Sequence, residues 1–241
     1  MTAAIAVAPL RLGADIKVQL RRIGVEQQPL LVVDNVLDDP DAMIEAARAA
    51  SFYAPPHTNY PGLNAVLPEA YYRMVVTALR GPIEAAFGLS REVYVKYFGF
   101  FALATSSARE ASSIQKVPHC DGPDPGRLAM VHYLCRGPFG GTGFFRHRAT
   151  GLQSVDATRH GAYLAAIQAE LAAADCGPAA YADGTLANYE LIGEAEKVFN
   201  RLIVYRNHVL HSALLGPDAG SDDPARGRLT SNGFIEAADS G

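Results

Sequence analysis

His119 and Asp121, one residue apart in the stretch Ile114 to Asp121, are the residues whose types and spacing most directly promise chemistry. In an extended strand alternate side chains share a face, so these two point one way and Cys120 the other. A neutral imidazole beside a carboxylate can hold a divalent metal. A second histidine from elsewhere would complete two imidazoles and one carboxylate, leaving half the ion's coordination sphere open. Alone, a His-x-Asp fits a surface turn before Gly122-Pro123 better than a metal site.

His132, His147, His160, His208 and His211 are the downstream candidates for that second histidine. His160 falls in a predicted helix, and His147 is flanked by Arg146 and Arg148. His132 lies too near in sequence to return beside His119. His208 and His211, three apart in extended chain, face opposite ways, so at most one is a ligand. Leu210 before it and Ser212 after it favour His211; the plainer alternative is a pair of ordinary loop histidines. A metal held by His119, Asp121 and His211 stays net positive and suits an anionic chelator together with dioxygen. A chelator with a second carboxylate needs a buried cation, and an arginine's planar fork suits it. Arg228 and Thr230 share a strand face and supply a cation and a hydroxyl. Arg226 shares the same alternation and replaces Arg228 if the register differs. Otherwise Arg228 is a solvated cation at a strand start.

Several elements must position these groups. Leu30 to Val33 reads as a buried strand. Asp39 as N-cap and Pro40 at the first helical position open an Ala-rich helix that ends near Ala50. Residues 52–64 hold three prolines and read as a loop. His57 and Tyr60 there could line a substrate mouth, although a loop histidine is more often merely solvated. Pro68 to Phe87 reads as a second helix, kinked at Gly81-Pro82. From Val93 the pattern becomes β-like. Strands are expected over 93–101, 114–121, 128–135, 142–147, 199–205, 208–215 and 228–235, with a helix over 158–174 and loop at Cys176 to Ala187. Helices followed by short strands make an α+β chain.

Composition sets outer limits. The chain has 241 residues, 49% of them hydrophobic, enough to bury one large core. The formal net charge of −4 gives no footprint for nucleic acid. The three cysteines, Cys120, Cys135 and Cys176, are scattered, so a reducing cytoplasm is the expected compartment. The N-terminus shows neither a basic signal-peptide start nor a membrane-length run.

His119-Cys120-Asp121, Tyr133-Leu134, Gly140-Gly141-Thr142-Gly143-Phe144-Phe145, Leu210-His211-Ser212 and Arg228-Leu229-Thr230 occur in an order that resembles the Fe(II)/2-oxoglutarate-dependent oxygenases. The likeness is nearest to the prolyl-hydroxylase-like branch and spans about Tyr94 to Ile235. The part around Asn59-Tyr60-Pro61-Gly62 resembles an uncharacterised bacterial group of that superfamily. The resemblance implies one domain over 1–241: a double-stranded β-helix (jelly roll) core at 91–236, supported by N-terminal helices of 1–90 packed on one sheet. A helical insertion at about 156–196 would cover the site or form a homodimer contact. It further implies Fe(II) on His119, Asp121 and His211, with 2-oxoglutarate chelating the iron. Arg228 and Thr230 would hold its far carboxylate, and Tyr133 and Tyr97 are hydroxyls within its reach. The expected activity is hydroxylation of a small molecule, an amino-acid side chain or a peptide, with neither nucleic acid nor membrane as partner. Asp121 is an intact carboxylate, so halogenation is not expected. Two other classes fit the same residues: a cupin-like metalloenzyme without 2-oxoglutarate, and a non-catalytic binding module. Lys96 and Lys116 could meet an acidic substrate, but snorkelling surface lysines are the plainer expectation.

Overall fold

The computed structural model describes residues 10–56, 58–89, 94–173, 178–216 and 220–238. Two antiparallel sheets lie between helical layers. The larger sheet has the order β1-β2-β8-β5-β10-β4-β3 and the smaller β7-β6-β9. The larger contains β1 (Lys17–Ile23), β2 (Gln28–Asp34), β3 (Gly62–Val66), β4 (Tyr94–Ala104), β5 (Leu128–Tyr133), β8 (Arg201–Arg206) and β10 (Arg228–Ala238). The smaller contains β6 (Thr142–His147), β7 (Tyr189–Ala195) and β9 (His211–Ala213). Among the described residues, no helix is long and apolar enough to cross a membrane.

Strand alternation divides the larger sheet into two chemically different faces. Leu31, Val33, Phe101, Leu103, Leu128, Met130, Leu202, Val204, Leu229 and Ile235 face one way. They pack under α1 (Asp41–Ala49) and α2 (Glu69–Phe87), which bury Met43, Ile44, Ala46 and Ala47, and Tyr71, Val75, Leu79, Ile83 and Phe87. The α2 residues recur every four positions, one stripe of a helix. Each such side chain contributes about 1.5–3 kcal/mol on burial. Helix α2 runs on through Pro82 and stops at Gly88, which takes the left-handed conformation at φ 68°. On the opposite face Leu30, Val32, Ala129, Tyr133, Ile203 and Tyr205 meet Phe144 and Ala195 of the smaller sheet. The outer face of the smaller sheet is covered by α3 (His160–Ala173), whose Tyr163 and Ile167 pack with Phe145, Leu210 and Val117.

Four expectations need revision. Residues 114–121 are not a continuous strand: a 3-10 turn, Ser113–Lys116, precedes a single bridge at His119. The Pro-rich stretch 52–64 runs into β3, and Tyr53 pairs with Asn64. Among the described residues of 156–196, helix is confined to α3, and β7 at its end belongs to the smaller sheet. Strands β1 to β3 are members of the larger sheet, so residues before 90 build it as well as support it. His57 and Cys176 lie outside the described residues, as does the Lys96 side chain.

His132 is a core residue. It is fully buried on the helical side of β5, where it contacts the Tyr71 hydroxyl through Nδ1 at 2.8 Å and Asn200 Oδ1 through Nε2 at 3.1 Å. Asn200 Oδ1 also accepts the Leu37 N–H. The consistent assignment has Tyr71 donating to Nδ1 and Nε2–H donating to Asn200. Burial holds His132 neutral, with its pKa lowered to about 4. The unfolded chain binds that proton near pH 6.5, so stability is complete above about pH 6.5 and falls as pH drops toward 4. Burial and the neighbouring Arg206 lower His208 as well, which acts with the same sign. His132→Leu is expected to cost about 1–3 kcal/mol at pH 7, because Tyr71 loses its acceptor. It should also flatten the stability loss between pH 6.5 and 4, as read by urea unfolding at several pH values.

Candidate metal centre

The cluster is built by backbone pairing. His119 and His211 exchange two hydrogen bonds, His119 N–H to His211 O at 2.9 Å and His211 N–H to His119 O at 2.8 Å. Directly opposed residues of an antiparallel pair share a face, so both imidazoles emerge on one side. Their ring centroids are 4.6 Å apart. The Asp121 N–H donates to Asn207 O at 2.9 Å, which keeps the chain extended for two residues more and brings its carboxylate to the same side. Asp121 then lies 3.7 Å from His119 Nε2 and 3.4 Å from His211 Nε2. One ligand atom from each residue falls within 4.8 Å of the others. On its other edge His211 pairs with Phe144 of β6. Cys120 points to the opposite face and packs in the cluster of Tyr163 and Phe145.

The three donors suit a divalent cation. His211 Nδ1 is 2.9 Å from the Val209 carbonyl, which fixes the proton there and turns the Nε2 lone pair toward Asp121. The pKa of His119 is lowered to about 4, by desolvation first and by the adjacent His211 second. Because 55% of the His119 side chain is accessible, the neighbouring ring is the firmer cause. His211 is only 7% and Asp121 21% accessible, so the cluster opens on the His119 side. That is where a further ligand could approach.

A buried cation stands in the same interior. Arg228 is 3% exposed and donates through Nε to Gly140 O at 3.3 Å and through Nη2 to Gly141 O at 3.0 Å. The glycines make this possible. A Cβ at Gly140 would strike Leu214 O and one at Gly141 would strike Ala195 O, so only bare backbone threads between these strands. No carboxylate pairs with Arg228 among the described residues. Tyr205 links the two halves: its ring meets His211 edge-on at 4.8 Å, and its hydroxyl feels the charges of Asp121 and Arg228. Burial raises its pKa well above the usual phenol value.

The remaining predicted residues divide. Tyr133 lies on the Arg228 face, its hydroxyl 2.7 Å from Thr142 Oγ1, with Arg228 Cζ 5.8 Å from its ring. Thr230 is buried on that face and donates to Ala102 O at 3.4 Å. Tyr97 is not brought to the site. It packs with the helical core on the opposite face of the sheet and stacks on Tyr72, because odd-numbered β4 residues point toward the helices. Arg228, not Arg226, is the buried arginine. Lys116 is buried and donates to Pro178 O at 3.0 Å, so it does not snorkel.

Sequence reasoning passed over two residues. Tyr205 was visible only as the end of an apolar strand, although its parity with Ile203 puts it on the inner face. Asn207, which anchors Asp121, is fully buried, and its side-chain amide has no hydrogen-bond partner. A cleft of about 710 Å³ opens nearby, lined by Ser107, Arg109, Gly140, Tyr181, Asp183 and Leu214 among others. The metal cluster is not in its wall; the cleft adjoins the site through Gly140, on the Arg228 side.

Residues 14–235 match the model of a family of unknown function, DUF6445, and the chain belongs to that family. No curated protein matches it. Similar solved structures include an N-substituted L-amino acid dioxygenase from Burkholderia ambifaria AMMD in complex with alpha-KG. It has a TM-score of 0.42 and 11% identity, over 95% of this chain and 100% of that one. A second structure of an enzyme with that description, from the same organism, gives a TM-score of 0.40 and 12% identity over 91% and 93%.

Asp121→Ala or His211→Ala is expected to weaken Mn(II) uptake, measured by calorimetry, by at least about 100-fold, the upper end of what loss of a mere outer-shell partner costs. Cys120→Ala should leave uptake unchanged. Full uptake by Asp121→Ala would exclude this cluster as the metal site.

Proposed function

We propose that this chain is an Fe(II)/2-oxoglutarate-dependent dioxygenase that hydroxylates a small molecule or an amino-acid side chain. We further read the two facing sheets as a jelly roll with its metal between them. The observation that carries the proposal is the pairing of a two-imidazole, one-carboxylate cluster with a buried arginine that no carboxylate neutralises among the described residues, in one interior. The donor set fits iron, and Arg228 fits a dicarboxylate. His119, Asp121 and His211 would hold the metal. Arg228 would hold the far carboxylate of 2-oxoglutarate through the edge of its guanidinium not spent on Gly140 and Gly141. Together iron, 2-oxoglutarate and dioxygen would supply the oxidising chemistry, giving succinate, carbon dioxide and a substrate C–H converted to C–OH.

The chain's own groups do the rest. The Val209 carbonyl orients His211, and the reciprocal backbone pair sets the spacing of both imidazoles. Phe144, Tyr205 and Tyr133 wall the interior and exclude water. Substrate would approach the metal from the His119 side, where the cluster is open. The reaction would run in the cytoplasm, with neither nucleic acid nor membrane as partner.

Succinate should form only when both Fe(II) and 2-oxoglutarate are supplied, and Asp121→Ala should abolish it. Arg228→Lys, which loses the planar fork, is expected to raise the 2-oxoglutarate requirement by roughly 10- to 100-fold, the worth of one or two charge-assisted hydrogen bonds. Undiminished succinate release by Asp121→Ala would end the proposal. Dependence on metal but not on 2-oxoglutarate would favour a cupin-like enzyme.

A further inference from the structure

Tyr60 lies in the Pro-rich connection ahead of β3, far in sequence from the other site residues. Its backbone is held firmly: the carbonyl accepts the Gly62 N–H at 3.0 Å, and the next carbonyl, of Pro61, accepts the N–H groups of Thr105 and Ser106, each at 3.2 Å. Gln115 Nε2 also donates to the Tyr60 carbonyl, at 3.4 Å. The hydroxyl is buried and has no hydrogen-bond partner. Gly62 and Arg228 are both register partners of Ala104, on opposite sides of β4, so Tyr60, two residues before Gly62, lies at the Arg228 end of the sheet, and Arg228 is the foremost charge acting on its hydroxyl. Desolvation raises the Tyr60 pKa, so the phenol keeps its proton and can only be a neutral donor or acceptor.

A buried phenol left unpaired, at the same end of the sheet as a buried guanidinium, is costly on both counts. One guest removes both costs: an anion that takes the free edge of Arg228 and accepts the Tyr60 O–H. Two other hydroxyls on this face are engaged. Tyr133 is bonded to Thr142, and Thr230 donates to Ala102 O. Tyr60 has its hydrogen to spare.

We infer that Tyr60 is an anion-binding residue of the Arg228 site, donating its hydroxyl to the carboxylate that Arg228 holds. The N-terminal segment therefore supplies one wall of the co-substrate pocket, and the core from 91 to 236 is incomplete without it. This rests on the oxygenase reading for the identity of the anion, 2-oxoglutarate, but on Tyr60 and Arg228 alone for its existence.

The test is calorimetric titration of the full chain, wild type and Tyr60→Phe, with 2-oxoglutarate plus Mn(II), and separately with glutarate and with inorganic phosphate without metal. Tyr60→Phe should weaken binding of whichever anion the wild type takes up by roughly 10- to 100-fold, as expected for a hydrogen bond to a charged group. The ligand-free variant should unfold at the same temperature as wild type or higher, because the lost hydroxyl had no partner. A purely structural tyrosine would show the reverse, unchanged affinity and a lower unfolding temperature, and either result overturns the inference. Wild-type binding of glutarate or phosphate without 2-oxoglutarate would sink the oxygenase reading while Tyr60 is still judged on that anion. Binding of none of them would overturn both.

Discussion

Two backbone hydrogen bonds between His119 and His211 are the constraint on which the rest of the site depends. They join points 92 residues apart. A directly opposed antiparallel pair leaves no choice of side, so both imidazoles must share the inner face. The pair persists because its flanks are secured. Asp121 is anchored on Asn207, His211 lies beside Phe144, and Phe145 N–H donates to Leu210 O. Helix α3 then closes the outer face, where the Tyr163 hydroxyl donates to Pro118 O at 3.3 Å, one residue before His119. Packing on one side of the smaller sheet thus sets ligand geometry on the other.

Arg228 is the second fixed point, and it is held at some cost. Taking a guanidinium out of water costs several kcal/mol, and two carbonyls return only part of it. A structure selected for stability alone would place a carboxylate beside it, as Asp34 stands beside Arg201 on β8 at 2.6 Å. The contrast between these two buried arginines on the inner face argues that Arg228 is kept for a guest and Arg201 for the fold.

Much of this was legible in the sequence wherever a single period dominated. Strands β5, β6, β8 and β10 and helices α1 to α3 fall close to their expected ranges, although Pro40, not Asp39, is the N-cap of α1. The strands that escaped notice lacked that signal. β1, Lys-Val-Gln-Leu-Arg-Arg-Ile, is an exposed edge with nothing to bury for most of its length. β3 follows three prolines, and β7 follows a helix and a polar loop. The His119 segment is a one-residue bridge whose partner is distant in sequence, so no local pattern encodes it.

Within the site, residue types and their order singled out His119, Asp121, His211 and Arg228, and the structure brings the first three together. Sequence reading failed for Tyr97, since a tyrosine's presence on a strand does not say which face the sheet turns inward. It undervalued Tyr60, whose place at the Arg228 end of the sheet comes from a loop running into β3, and Tyr205, hidden in an apolar run. These are consequences of long-range packing, which composition cannot announce.

A crystal structure of the chain soaked with Mn(II) and 2-oxoglutarate bears on the central claim most directly. One manganese ligated by His119 Nε2, His211 Nε2 and an Asp121 oxygen, with the far end of 2-oxoglutarate on Arg228, is the predicted result. Metal bound elsewhere, or at this cluster without His211, would contradict it.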